Sequence, residues 1–160
     1  MTKEQITFVE KVGWVFEHSP WVAERASSEL PFPSIETMHA AMVAVVRQAT
    51  HAEQLALIQA HPDLGARAKM SDASVGEQAG AGLNQLTPDE FATLSRLNAE
   101  YKRKFAFPFI YAVKGSTKHA ILQALEARLD NTPAAEHATA LEQIANIAWF
   151  RLSDTFKESA

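Results

Sequence analysis

Histidine at position 61 is the first residue of this sequence whose type and setting suit acid–base chemistry. It lies in the segment Ala-His-Pro-Asp-Leu-Gly at residues 60–65, directly after a helix-like pattern. The carbonyl groups at the end of a helix carry partial negative charge, which favours a protonated imidazole there. Pro62 fixes one backbone dihedral beside His61, so the segment presents a titratable ring rigidly. A histidine that only caps its helix is the alternative.

A second group of polar residues lies in Ser-Val-Gly-Glu-Gln at residues 74–78. Ser74 and Glu77 have the spacing of a capping box, which needs no function. Glycines weaken the helix that would follow, but their small size lets another group approach the backbone closely. A helix N-terminus also attracts anions, so Glu77 and Gln78 are candidates for hydrogen-bonding a polar ring.

Two further places depart from the pattern of apolar residues inside and polar residues outside. Residues 105–113 are apolar and interrupted by proline, which predicts either a buried connector or an irregular segment whose peptide groups face a ligand. Arg151 lies on the flank of the inward stripe of the last predicted helix, where a charge is costly unless paired. Arg151 therefore either extends to solvent or points into a pocket, paired with Glu77 or an anionic ligand.

Helical patterns extend through nearly the whole chain and predict the elements that position these residues. Helix starts are predicted at Thr2, Ser19-Pro20, Ser34, Thr87-Pro88, Ser116 or Thr117, and Thr132-Pro133, with further helices at about 52–60 and 75–85. The stretch between Gly65 and the helix at 75–85 is predicted to be a surface loop. No strand pattern, repeat or long linker is present. We therefore predict an all-α fold, a single compact bundle of about eight helices forming one domain over residues 1–160.

Composition narrows the classes of function. The chain has 160 residues, 47% of them hydrophobic, and a net charge of -4 without a basic block, which argues against nucleic-acid binding. It has no cysteine, which excludes disulfides, thiol nucleophiles and iron–sulfur clusters. No targeting segment or apolar run of about 18 residues is visible, so we expect a cytoplasmic protein that does not enter membranes. The remaining histidines lack metal-ligand spacing and are interpreted as solvated helix residues: His18, His39, His51, His119 and His137.

Four motifs in this order resemble one family, the OHCU (2-oxo-4-hydroxy-4-carboxy-5-ureidoimidazoline) decarboxylases. The motifs are Ala-His-Pro-Asp-Leu-Gly (60–65), Ser-Val-Gly-Glu-Gln with Ala-Gly-Leu (74–78 and 81–83), Lys-Phe-Ala-Phe-Pro-Phe-Ile with Ala-Val-Lys-Gly (104–110 and 112–115), and Phe-Arg-Leu (150–152). Phe-Glu-His-Ser-Pro-Trp-Val (16–22) is also similar to the family. One motif alone would be weak, but four in order along nearly the whole chain are highly specific.

The resemblance implies an all-α carbon–carbon lyase that forms a homodimer and needs no cofactor or metal. Its reaction would be the decarboxylation of the ureidoimidazoline to (S)-allantoin, the last step of urate degradation in purine catabolism. It implies catalytic roles for His61, Glu77 and Arg151. The substrate-binding residues that it implies are Pro62, Ser74, Val75, Gly76, Glu77, Gln78, Phe109, Ile110, Tyr111, Ala112, Val113 and Arg151. One departure is Ala106, where the family usually has glycine.

Two other functions are compatible with the same residues. A non-catalytic helical module that binds a small anionic heterocycle or a partner protein would keep Arg151 and residues 109–113 but would not need His61. A metal-dependent hydrolase would use His61, Asp63 and Glu77 as ligands, although two carboxylates with one histidine make a poor metal site.

Overall fold

The structure, a computed structural model, describes residues 1–65 and 72–157, without the side chains of residues 72–74. Within these ranges the chain forms eight α-helices, two short 3-10 helices (Gly13–Val15 and Ser27–Glu29) and no strand. The α-helices are α1 Lys3–Val12, α2 Trp21–Ala26, α3 Ile35–Gln48, α4 His51–Gln59, α5 Asp72–Gly80, α6 Pro88–Phe105, α7 Lys118–Arg128 and α8 Pro133–Lys157. The predicted all-α fold class is confirmed. No helix of the described residues has the length and hydropathy needed to cross a membrane.

The chain forms two compact units. One contains Met1–Ala60 and Ile144–Ala160, and the other contains His61–Gln143. The largest fully buried hydrophobic side chains of the first unit are Phe16, Met42, Leu57, Ile58, Ile144 and Leu152. Those of the second unit are Leu94, Tyr101, Phe109, Ile121 and Leu125. The single domain over residues 1–160 stays a prediction.

Most helix starts lie where capping residues predict them. Thr2, Ser34 and Thr87 each cap a helix through a complete capping box, and Thr117 caps α7 with its side chain. The prediction for Ser19 is wrong. Its hydroxyl donates to the Glu17 carbonyl at 2.8 Å instead of capping α2, and its N–H donates to the Phe16 carbonyl at 3.1 Å, which closes the turn before that helix.

The predicted helix at residues 75–85 has the wrong bounds. α5 begins at Asp72, so Ser74 lies inside the helix and is not its N-cap residue. α5 ends at Gly80 because Gly82 adopts a left-handed conformation with φ +84°. The Leu83 N–H then donates to the Gln78 carbonyl at 3.0 Å, the hydrogen bond that defines a Schellman motif.

Two histidines that the sequence places in solvent have specific neighbours. His39 Nε2 lies 2.8 Å from the Ala145 carbonyl oxygen, and its ring meets Trp149 edge-on at 5.3 Å. The His137 ring lies edge-on to Phe107 at 6.3 Å. The interpretation of both as solvated helix residues is therefore wrong, because helix spacing alone does not show which ring a histidine meets.

The capping glutamates of α4 and α6 each bind a cation from another helix. Glu53 pairs with Arg25, and Glu90 Oε1 accepts from Lys118 Nζ at 2.7 Å. The hydrogen bond from Lys118, assisted by that from the Thr87 N–H, lowers the pKa of Glu90 from 4.5 to about 2. The hydrogen bond from Arg25 lowers the pKa of Glu53 to about 2 in the same way. Both carboxylates therefore favour the fold in their ionised form.

Replacing Glu90 by glutamine should remove a pH-dependent part of the stability. Because the folded pKa lies below the unfolded value, ionised Glu90 stabilises the fold above pH 4.5, and the contribution is lost as the pH falls through 2. In urea titrations from about pH 6 to about pH 2, the stability difference between wild type and Glu90→Gln should shrink as the pH falls. It should be smaller at every pH in a Lys118→Met background. A difference that does not vary with pH would contradict this account.

Ala106, at the C-terminal end of α6, has a left-handed backbone with φ +64° and ψ +20°. A side chain with a Cβ atom pays roughly 1–2 kcal/mol in this conformation, whereas glycine does not. The glycine that the family usually has at this position therefore has a structural reason. The helix of this chain ends at the same residue with some backbone strain.

Ala106→Gly should raise the free energy of unfolding by about 0.5–1 kcal/mol, because relief of the strain exceeds the added entropy of the unfolded chain. The midpoint of thermal unfolding should rise by about 2 °C. Ala99→Gly, at an exposed position inside α6, is the matched control and should lower the stability by about 1 kcal/mol. If Ala106→Gly lowers the free energy of unfolding as much as the control does, residue 106 carries no strain.

Candidate active site

His61 is buried, with 8% of its surface exposed, and begins residues 61–65, the His61 segment, which follow α4. α4 ends at Gln59 with Ala60 as its C-cap, as Pro62 predicts. Four residues after His61, the Gly65 N–H donates to Gln78 Oε1 at 2.8 Å. Gln78 is itself buried, so α5 holds the far end of the His61 segment.

α6 holds the middle of the same segment. Asn98 Nδ2 donates to the Leu64 carbonyl oxygen at 3.0 Å, and Asn98 is 8% exposed. Lys102 Nζ lies 3.3 Å from Asp63 Oδ2 on the more exposed side. Three consecutive residues after Pro62 are therefore each held by a side chain of α5 or α6. These contacts make the segment rigid, whereas the sequence analysis predicts its rigidity from Pro62 alone.

Gly65 allows the segment to approach α6. Its φ is +70°, and a Cβ atom built there would lie 2.6 Å from Leu94 Cδ2. Both the backbone conformation and the close approach therefore favour glycine at this position. The sequence does not reveal the approach, because Leu94 lies 29 residues further along the chain.

The predicted residues of α5 differ in their surroundings. Gln78 is buried and Glu77 is half-buried, whereas Val75 and Gly76 are exposed. The side chain of Ser74 lies outside the described residues. The structure therefore brings Gln78 to the His61 segment.

Residues 109–113 form an irregular segment without helix, as the sequence predicts. Phe109, Ile110 and Val113 are buried, and Tyr111 and Ala112 are half-buried. Arg128 Nη1 donates to the Ile110 carbonyl oxygen at 2.6 Å, and the Ala112 N–H donates to Gln143 Oε1 at 2.9 Å. The segment is a buried connector, as one interpretation predicts, and it leaves peptide groups without protein partners in the described ranges. That these groups face a ligand stays a prediction.

Arg128 is fixed by a fully buried carboxylate, Glu136. Its Nε donates to Glu136 Oε1 at 2.8 Å, and Asn131 Nδ2 donates to Oε2 at 2.9 Å. Tyr101 also donates its hydroxyl hydrogen to Oε1. Burial, together with this hydrogen bond, raises the pKa of Tyr101, so the phenol stays a donor. Sequence reasoning missed these residues, because no local pattern identifies a buried carboxylate that several elements share.

Arg151 is buried, with 3% of its surface exposed, so the alternative in which it extends to solvent is wrong. Its Nη2 donates to Glu17 Oε2 at 2.9 Å, and its Nη1 donates to the Val15 carbonyl oxygen at 3.4 Å. Glu17 has no exposed side-chain surface. The sequence analysis does not identify Glu17 as the partner of Arg151, and the motif at residues 16–22 is the only sequence feature that points to Glu17. The pairing with Glu77 stays a prediction.

A metal centre has no ligand set in the described part of the chain. No group of three histidine, aspartate or glutamate side chains there could hold an ion. Asp63, one of the ligands that the hydrolase alternative requires, binds Lys102.

Comparison with known proteins identifies the class of helical protein. The family model described as OHCU decarboxylase matches residues 2–153. This chain belongs to the OHCU decarboxylase family.

Named relatives and solved structures support the same family. A 2-oxo-4-hydroxy-4-carboxy-5-ureidoimidazoline decarboxylase of Haloferax volcanii is 45% identical over 150 residues, covering 94% of this chain and 89% of its own. A crystal structure of OHCU decarboxylase in the presence of (S)-allantoin has a TM-score of 0.72 and 27% identity, covering 86% of this chain and 91% of its own. A crystal structure of (S)-allantoin synthase has a TM-score of 0.79 and 34% identity, covering 96% of this chain and 50% of its own.

Gly65→Ala should destabilise the protein more than Gly82→Ala does. Both residues have a positive φ, but a Cβ atom at Gly82 would meet nothing within 4 Å. We expect each variant to lose about 1–2 kcal/mol from backbone strain and Gly65→Ala to lose at least about 1 kcal/mol more from overpacking against Leu94. Urea denaturation measures both losses. Equal losses would show that Leu94 moves aside freely.

Proposed function

We propose that this chain catalyses the cofactor-free decarboxylation of 2-oxo-4-hydroxy-4-carboxy-5-ureidoimidazoline to (S)-allantoin, the last step of urate degradation. Family membership over residues 2–153 carries the proposal. The buried His61 in a segment held from two helices supports it, because a general acid–base group must keep its position during proton transfer.

The substrate's own chemistry explains why no cofactor is required. When the bond to the carboxylate breaks and CO₂ leaves, its electron pair forms a carbon–carbon double bond, and the imine electron pair moves to the ring nitrogen, which takes a proton from solvent. The neighbouring hydroxyl group loses its proton and becomes a carbonyl, and the carbon that bears the ureido group gains a proton. The heterocycle therefore serves as the electron sink that a bound cofactor supplies in other decarboxylases.

We propose His61 as the residue that mediates these proton transfers. It takes the hydroxyl proton and returns a proton to one face of the ring carbon, which gives a single enantiomer. Pro62 fixes the approach to this imidazole. Protonation by water alone would reach both faces and give racemic allantoin.

The remaining residues of the proposal bind and orient the substrate. Glu77 accepts hydrogen bonds from ureido and ring N–H groups, and Arg151 binds an anionic or carbonyl oxygen, its guanidinium oriented by Glu17. Gln78 serves at least as much to hold the His61 segment, because its Oε1 accepts from Gly65. Further contacts are proposed for Ser74, Val75, Gly76 and the backbone of residues 109–113. Orientation of this kind supplies several kcal/mol of barrier reduction.

We propose that the protein acts as a homodimer in the cytoplasm. The family resemblance supports the dimer, and the proposed role in purine catabolism supports the compartment.

The activity is tested with substrate made in situ from urate by urate oxidase and hydroxyisourate hydrolase. Adding this protein at micromolar concentration should accelerate the loss of the ultraviolet absorbance of the ureidoimidazoline by at least about ten-fold over the spontaneous decay. Treatment with EDTA followed by gel filtration should leave the rate unchanged, whereas a metal-dependent hydrolase would lose it. Decay at the spontaneous rate in the presence of the folded protein would overturn the proposal and favour the non-catalytic binding module.

A further inference from the structure

Two side chains hold the peptide groups on either side of Tyr111. Arg128 of α7 donates to the Ile110 carbonyl oxygen at 2.6 Å. Gln143 of α8 accepts from the Ala112 N–H at 2.9 Å. One side chain therefore holds the peptide group that precedes Tyr111, and the other holds the peptide group that follows it.

These two contacts also set the directions of the N–H and the carbonyl of Tyr111, because each belongs to one of the two held peptide groups. Neither peptide is cis, and in a planar trans peptide the N–H points opposite to the carbonyl. Holding the Ile110 carbonyl therefore directs the Tyr111 N–H away from Arg128, and holding the Ala112 N–H directs the Tyr111 carbonyl away from Gln143. Within the described ranges, neither the N–H nor the carbonyl of Tyr111 makes a hydrogen bond. Tyr111 thus presents a donor and an acceptor with set directions.

The Arg128 side chain is held along its length and cannot readily change direction. Its Nε donates to Glu136 at 2.8 Å, and its guanidinium carbon lies 4.4 Å from the centre of the Phe109 ring. Only 12% of the side chain is exposed. A lysine could keep the charge beside Glu136 but could not also reproduce the planar contacts with the Ile110 carbonyl and Phe109.

We propose that Arg128 and Gln143 are positioning residues for the decarboxylation. They direct the Tyr111 N–H and carbonyl toward an amide edge of the substrate ring, where the 2-oxo group and an adjacent N–H offer the complementary acceptor and donor. Neither Arg128 nor Gln143 touches the substrate. This inference rests on the proposed function and assigns two residues that the family resemblance does not.

The full-length variants Arg128→Lys and Gln143→Met test the proposal, with Gln143→Glu as the conservative variant that keeps an acceptor for the Ala112 N–H. The ring edge is bound in the ground state and the transition state alike, so the loss should affect binding. In the coupled assay, KM should rise about ten-fold in the first two variants while kcat changes less than about three-fold. Gln143→Glu should restore KM to near the wild-type value.

Ile121→Val is the control for simple destabilisation of α7. It removes a buried methylene but leaves the Arg128 contacts with Ile110 and Glu136, so Tm should fall while KM stays at the wild-type value. A lowered Tm with wild-type KM in Arg128→Lys and Gln143→Met would overturn the proposal, as would a fall in kcat alone. If Arg128→Lys does not fold, the comparison of KM between Gln143→Met and Gln143→Glu decides the test. An inactive wild type would overturn both the proposed function and this inference, whereas an active wild type with unaffected variants would overturn the inference alone.

Discussion

The geometry of residues 109–113 depends on the buried carboxylate of Glu136. A charge with no exposed surface is costly unless it is paired and hydrogen-bonded, and removing one partner of such a pair costs about 3–5 kcal/mol. Glu136 meets this requirement with Arg128, Asn131 and Tyr101, which lie on or beside different helices. The elements cannot shift independently without breaking this arrangement. Because Arg128 also holds the Ile110 carbonyl, the position of the segment follows from the burial of one charge.

The His61 segment is held in a different way, mainly through neutral hydrogen bonds to its backbone. Gln78 accepts from the Gly65 N–H, and Asn98 donates to the Leu64 carbonyl oxygen. Rigid backbone at the His61 segment and at residues 109–113 suits the proposed reaction, whose electron sink is the substrate itself. In such a reaction the protein orients the substrate and transfers protons, and orientation alone lowers the activation barrier by several kcal/mol.

The sequence predicts those features whose signals are local. The helix starts at Thr2, Ser34 and Thr87 follow from four residues each, and the four motifs identify the family together with its expected site. The contacts that hold the site could not be predicted, because they join residues far apart: Glu136 and Tyr101 are 35 residues apart, and Arg151 and Glu17 are 134 apart. The predicted end of α5 is wrong for another reason. Its Schellman motif depends on the left-handed backbone of Gly82, which is one of several glycines in that stretch.

In the proposed mechanism, His61 delivers the proton to one face of the substrate. Circular dichroism of the allantoin formed by wild type and by His61→Ala tests this role, with the exposed His119 of α7 replaced in the matched control His119→Ala. Wild type and His119→Ala should give a lasting signal of one sign, whereas His61→Ala, folded by far-ultraviolet circular dichroism, should give racemic allantoin at the spontaneous rate. A His61→Ala variant that keeps the wild-type rate and the single-sign signal would contradict the role of His61 while leaving the decarboxylase activity in place.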